Sequence, residues 1–240
     1  MSPPRFYVPT ELYNGQKVDL PENVSHHLLS VLRMKPGDAV TIYNGKGGEF
    51  HAEVLETSNK FATVSLNGYA DINRNPSIDI YYGLCVLKKN AMNRAIIRCV
   101  ELGVHALTPI ISENCTVSHR IISERHNHWK QTIIAASEQC GLNILPSLEP
   151  AVPLFTWLNS IEADLKLIAS LDGGRFPNGP NAQSVAIVTG PEGGFTEKEL
   201  REASQAKFKS VKLGARILRG ENAPVVALSA IHQRWSDFSD

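Results

Sequence analysis

The residues Gly190 to Phe195, reading GPEGGF, have the composition of a loop that lets a ligand approach the backbone closely. They follow a β-branched run, Val185 to Thr189, and precede Thr196, which has Glu199 three residues later as a capping box opening a helix. Strand, glycine loop and helix N-terminus in succession is how α/β sheets place ligands at the carboxyl ends of their strands. Taken alone, GPEGGF is equally compatible with an ordinary strand-to-helix turn. A second junction of the same kind follows in VKLGARILRGENAPVV: Val211 to Leu213 read as a strand, and Pro224 suits the first turn of a helix. Between them Arg216, Arg219, Glu221 and Asn222 surround the apolar pair Ile217 and Leu218. Such apolar side chains can pack on an adenine while the charged ones handle substrate; the plain alternative is a solvated connection with a surface ion pair.

Upstream, KKNAMNRAIIRCVELG sets Lys88 and Lys89 before a helix on which Arg94, Arg98 and Glu101 share one face and Met92, Ile96 and Cys99 another. The basic stripe fits contacts to phosphate, or else a solvated face with an Arg98–Glu101 pair. In HHLLSVLRMKPGDAV, Arg33 and Lys35 lie close to His26 and His27 and form a second candidate patch for RNA. The two histidines lack a third ligand at metal spacing and read as structural or surface residues, so no metal site is expected. GKGG at Gly45 to Gly48 lacks the spacing of a phosphate loop and reads as a hairpin turn. The residues of a GxSxG elbow, an HExxH zinc helix and a GxGxxG fingerprint are missing, which leaves hydrolase, metalloprotease and Rossmann dehydrogenase readings without support.

The elements that must position these residues fall into two patterns. Up to about residue 70, short β-branched and aromatic runs (Ala39 to Tyr43, Phe50 to Val54, Ala62 to Leu66) alternate with Gly, Asn, Asp and Lys, as in a small barrel. DINRNPS, Asp71 to Ser77, is polar and aperiodic and reads as a linker, which divides the chain into domains 1–72 and 73–240. Beyond it strands and helices alternate: strands at Ile78 to Leu87, Leu107 to Ile111, Leu165 to Ser170, Val185 to Thr189 and Ser210 to Leu213, with helices near 91–102, up to Cys140, 196–206 and 224–235. Alternation of this kind builds a parallel sheet covered on both faces. The 240 residues, 42% of them hydrophobic, suffice for buried cores. No run has the length of a membrane helix, and the N-terminus lacks the layout of a signal peptide, so a cytoplasmic protein without membrane contact is expected. Four scattered cysteines read as reduced, mostly buried thiols. With a formal net charge of zero, any nucleic-acid surface has to be a local patch.

Several segments together resemble one family. HHLLSVLRMKPGDAV and GKGGEFHAEV, then ELGV at Glu101, SEQCG at Ser137, GPEGGF and LGARILRGEN, in this order and over nearly the whole chain, are similar to the knotted SPOUT RNA methyltransferases, and among them to the uracil-N3 methyltransferases of 16S ribosomal RNA. The resemblance implies a PUA-like β-barrel that holds RNA, followed by an α/β trefoil-knot domain with a parallel sheet, working as a homodimer on 16S rRNA of the small ribosomal subunit. It implies S-adenosylmethionine (SAM) as cofactor, held by Leu171, by Thr189, Gly190, Pro191, Glu192, Gly193 and Gly194, and by Leu213, Gly214, Arg216, Ile217 and Leu218. Arg219, Glu221 and Asn222 are then the catalytic candidates: Arg219 for charge on the uracil oxygens, Glu221 as proton acceptor or orienter, Asn222 for the base edge. Arg5, Arg33, Lys35, Lys88, Lys89 and Arg94 are the candidate RNA contacts. The chain departs from the family where Gly220 and Asn222 replace the threonines of RTETA, where Leu142 follows EQCG in place of arginine, and at Asn93, where an acidic residue is frequent. Transfer to a ribose 2′-hydroxyl and a non-catalytic role in ribosome assembly are the rival readings.

Overall fold

In the computed structural model, residues 3–58, 60–177, 182–236 and 238 are described. They form two compact units, Met1–Asn75 with Ser137–Leu145, and Pro76–Ala136 with Pro146–Asp240. The first therefore takes in a segment from the middle of the chain, which no change in composition announces.

The first unit contains β1 (Arg5–Tyr7), β2 (Lys17–Asp19), a short helix α1 (Glu22–His26) running into a π-helical turn His27–Val31, then β3 (Ala39–Tyr43), β4 (Glu49–Thr57) and β5 (Ala62–Ala70). The sheet order is β1-β3-β4-β5-β2, with β1 parallel to β3 and the other pairs antiparallel. Strand β5 begins with strict inward and outward alternation, so Ala62, Val64 and Leu66 join Phe6, Leu28 and Ile42 in one apolar core. The GKGG segment lies in the β3–β4 connection, as its turn chemistry requires. The three-residue strands β1 and β2 and the π turn escape sequence reading because they are shorter than any period that could reveal them.

Arg5, on β1, is committed inside this unit. Its guanidinium pairs with Glu49, donates to the Leu142 carbonyl at 3.2 Å and bonds the Asn143 side chain, leaving the side chain 13% exposed. Arg74 donates to the same Glu49 carboxylate at 3.0 Å and to the Gly141 carbonyl at 3.0 Å. The expectation that Arg5 faces RNA is thus corrected: a buried carboxylate needs its charge compensated, and Arg5 supplies that.

The second unit runs β6 (Asp79–Cys85), α2 (Asn90–Glu101), β7 (Ala106–Ile111), α3 (His119–Cys140, whose last turn falls in the first unit), β8 (Ser147–Leu148), β9 (Val152–Pro153), α4 (Leu154–Ser160), β10 (Leu165–Gly174), β11 (Ser184–Thr189), α5 (Glu197–Gln205), β12 (Lys209–Val211) and α6 (Ala223–Trp235). Its sheet has the order β12-β10-β11-β6-β7-β8, with β9 also on β7, and every pairing is parallel. Central strands β6 and β11 are buried almost throughout, the signature of a parallel sheet with both faces covered. Helix α2 turns Met92, Ala95, Ile96, Cys99 and Val100 into the core. Cys85 and Cys99 are fully buried free thiols, and burial pushes both well above the usual thiol range. Among the described residues, no helix is long and apolar enough to cross a membrane.

Candidate active site

Strands β11, β10 and β12 are neighbours in the sheet, so the segments leaving their carboxyl ends lie side by side. From β11 comes Gly190 to Phe195. Gly194 has φ +69°, and its N–H closes a turn on the Pro191 carbonyl at 2.9 Å. A side chain there is disfavoured by backbone conformation alone. Asn114, in the β7–α3 connection, fastens the loop by donating to the carbonyls of Gly193 (3.2 Å) and Gly194 (3.0 Å). Glu192 accepts the Lys88 N–H at 3.2 Å, while Thr189, buried at the strand end, meets the Tyr82 hydroxyl at 3.0 Å. Beyond the loop the capping box is complete: Thr196 Oγ1 accepts from the Glu199 N–H, and Glu199 accepts from the Thr196 N–H at 2.8 Å. The other oxygen of this buried carboxylate accepts the Glu113 N–H at 2.8 Å.

From β10 comes Leu171, at a break in the register between Ala169 and Gly174 that frees it from the ladder. From β12 comes Leu213 to Leu218. Leu171 is 54% exposed and Ile217 84%, large aliphatic side chains that the fold leaves uncovered at the carboxyl edge of the sheet. Among the described residues beyond their chain neighbours, no atom lies within 4 Å of where a Cβ would stand on Gly194 or Gly214, so the backbone is open to a ligand at these two positions. Exposed aliphatic surface beside open backbone suits a cofactor with an apolar heteroaromatic end and hydrogen-bonding groups. A separate cavity of about 440 Å³ lies at the amino-terminal ends of β10 and β12, lined in part by Leu158, Lys166 and Lys209, on the opposite edge of the sheet.

The proposed chemistry follows directly. Gly220–Asn222 forms a single 3-10 turn closed by the Asn222 N–H on the Arg219 carbonyl at 2.8 Å. Helix α2 grips this turn with two arginines one helical turn apart. Arg94 donates to a Glu221 carboxylate oxygen at 2.9 Å, and Arg98 donates to both the Glu221 carbonyl and Asn222 Oδ1. The Glu221 backbone N–H first, then Arg94, hold the Glu221 carboxyl below the usual carboxylate range. Arg219 and Asn222 are exposed and Glu221 is buried. A Cβ on Gly220 would come within 2.6 Å of Leu87 Cδ2, so the turn sits flush on that side chain.

The structure brings the expected cofactor segments together at one edge and clamps Glu221 and Asn222 from α2. Lys88 and Lys89 are exposed at the start of α2, with Lys89 at φ +47°; Arg33, at φ +56°, and Lys35 are exposed in the first unit. Arg94 is half-exposed, sharing itself between solvent and Glu221. The Arg98–Glu101 pair does not form among the described residues, because Arg98 turns to Glu221 and Asn222 instead. Sequence reasoning missed Asn114, Leu87 and the role of Arg98. The first two carry no signal of their own, whereas Arg98 was visible as the second member of an i, i+4 basic stripe.

Comparison with known proteins bears on this arrangement. A family model described as the RNA methyltransferase domain matches residues 73–232, and one described as the RNA methyltransferase PUA domain matches residues 20–67. The chain belongs to the RNA methyltransferase family. Its curated relatives include the ribosomal RNA small subunit methyltransferase E of Buchnera aphidicola subsp. Schizaphis graminum, 30% identical over 98% of each chain, and that of Bacillus subtilis, 26% identical over 93% of this chain and 90% of the relative. Among solved structures, the ribosomal RNA small subunit methyltransferase E from Neisseria gonorrhoeae bound to S-adenosyl methionine superimposes with a TM-score of 0.93 at 33% identity, covering 99% of this chain and 100% of the other. The fold of this RNA methyltransferase is accordingly a PUA-like half-barrel followed by a SPOUT, α/β-knot unit with an all-parallel sheet.

Proposed function

We propose that the chain transfers a methyl group from SAM to N3 of a uridine in 16S rRNA of the small ribosomal subunit. The observation that carries this is the convergence, at the carboxyl edge of β11, β10 and β12, of an open glycine loop, uncovered Leu171 and Ile217, and the clamped turn Gly220–Asn222. The names borne by relatives that match end to end support small-subunit ribosomal RNA as the substrate. When bound, SAM supplies an electrophilic methyl group on a sulfonium centre. Backbone groups of Thr189 to Gly194 (through Pro191, Glu192 and Gly193) and of Leu213 to Leu218 (through Gly214 and Arg216) would hold it, and Leu171, Ile217 and Leu218 would offer apolar surface to its adenine.

Direct displacement needs the acceptor nitrogen in line and near contact, so positioning supplies much of the acceleration. The imide proton passes to solvent water and the N3–methyl bond forms as the methyl–sulfonium bond breaks, leaving a neutral thioether; negative charge develops on the two uracil oxygens as the proton leaves, and Arg219 and Asn222 are the donors assigned to it. Glu221, ionised and paired with Arg94, is suited to orienting rather than to accepting the proton, because a base is strongest when its pKa is raised. Arg33 and Lys35 in domain 1–72, with Lys88, Lys89 and Arg94 in domain 73–240, contact the rRNA backbone. The enzyme acts in the cytoplasm as a homodimer.

Calorimetric titration with SAM tests the cofactor half of this reading. Ile217→Asp is expected to weaken SAM binding by about tenfold or more, since burying an isoleucine stabilises by about 1.5–3 kcal/mol. Absence of any binding heat at high concentration of the unaltered protein would instead favour a non-catalytic RNA-binding factor.

A further inference from the structure

We propose that Arg98 is a positioning residue for methyl transfer, holding Asn222 so that its amide N–H2 rather than its oxygen is presented to the substrate base. The inference rests on the uracil-N3 reading above. A carboxamide has one accepting and one donating end, whereas a guanidinium only donates. With Asn222 Oδ1 engaged by Arg98, the N–H2 is the end of the amide left for a ligand, on an exposed residue. The same guanidinium takes the Glu221 carbonyl, Arg94 takes the Glu221 carboxylate, and Gly220 rests on Leu87. Main chain and side chain of the turn are thereby fixed by α2 and by Leu87 ahead of it, and a flip of the amide would set an N–H2 against the Arg98 guanidinium.

This orientation has chemical consequences. N3 of uracil lies between two carbonyl oxygens, which gain negative charge as the N3 proton leaves; a donor stabilises that charge and an acceptor opposes it. The charged bond to Oδ1 also polarises the amide and strengthens its N–H2 as a donor. A donor suits the O4 carbonyl of uracil and opposes the exocyclic amino group of cytosine, so the same contact contributes to the choice of base. Arg98 reaches the reaction through the turn it holds, by way of the Asn222 amide and the Glu221 main chain, and itself touches no reacting atom.

The test is single-turnover methylation of small ribosomal subunits at saturating SAM, over a pH series, with the product nucleoside identified by mass spectrometry. Arg98→Ala is expected to lower the rate by about 10- to 100-fold, SAM affinity changing less than about twofold, with Arg98→Lys recovering part of the loss. Because the contact favours the imide anion, the Arg98→Ala rate profile also moves to higher pH, which a purely structural role would not produce; an unmoved profile counts against the proposal. Asn222→Ala in the Arg98→Ala background should add less than about twofold, the mark of two residues acting through one contact. Because Arg98→Ala can fail to fold, Asn222→Asp is the second variant: its carboxylate still pairs with Arg98 but offers no N–H, so a comparable loss is expected in a folded protein. Wild-type rates in Arg98→Ala or Asn222→Asp, or losses that simply multiply in the double variant, overturn the proposal. A product other than 3-methyluridine from the unaltered enzyme sinks the uracil reading itself, whereas 3-methyluridine made at unchanged rate by Arg98→Ala sinks only the role of Arg98.

Discussion

Glu221 illustrates how far a residue type can be read without its surroundings. A glutamate beside a cofactor loop is legible as proton acceptor or orienter; what separates these is whether its environment raises or lowers its affinity for a proton. Its own N–H and Arg94 lower it, so Glu221 is ionised throughout the neutral range. A group whose folded pKa is depressed titrates only as pH falls below the ordinary carboxylate range, so the rate should show no Glu221 limb between about pH 6 and 9. Over that window the single-turnover rate should rise with pH as the imide proton becomes easier to lose. Glu221→Gln leaves Arg94 without its counter-charge, and Arg219→Ala removes a donor to the developing charge. Each should cost about 10²-fold or more in single-turnover rate with SAM bound. Wild-type rates for both would remove these residues from the chemistry.

At the scale of elements, legibility followed length and pattern. Strand β3 and helices α2, α5 and α6 announced themselves through β-branched runs, apolar stripes, the Thr196–Glu199 box and Pro224. What could not be read was long-range: that Glu199 also satisfies the Glu113 N–H, that Asn114 ties down the glycine loop, and that Leu87 packs under Gly220. These contacts join residues from 79 to 133 positions apart, and no local period encodes them. Two substitutions weigh them. Thr196→Ala removes one cap and should destabilise by about 1 kcal/mol, whereas Glu199→Ala leaves two part-buried N–H groups, those of Thr196 and Glu113, without their carboxylate and should cost about 2 kcal/mol; urea unfolding ranks the pair, and equal costs would deny the second contact. Gly220→Thr should lower activity unless Leu87 is reduced to alanine with it, because the added Cβ meets Leu87.

For the molecule as a whole, composition and alternation showed a β-rich part before an α/β part, and the resemblance supplied the knot that no periodicity displays. The return of Ser137–Leu145 to the first unit was not legible, since it depends on charges meeting across the chain. Its anchor is Glu49. Burial opposes ionisation of this carboxyl, but hydrogen bonds from Arg74 and Arg5 outweigh burial and leave it below the usual range. Stability from such a group is present above the ordinary carboxylate pKa and fades as pH falls through the depressed one. Glu49→Gln should therefore cost about 3 kcal/mol at neutral pH, a difference that shrinks in acid, where the unaltered chain is protonated as well. Unfolding midpoints at both pH values check this, and a pH-independent difference would contradict it. The central claim concerns the reaction, and one measurement meets it most directly: methylation of 16S rRNA, free and in the assembled small subunit, with labelled SAM, followed by mapping of the modified nucleotide. The account predicts a single 3-methyluridine; a 2′-O-methyl ribose, or no label in either substrate, would contradict it.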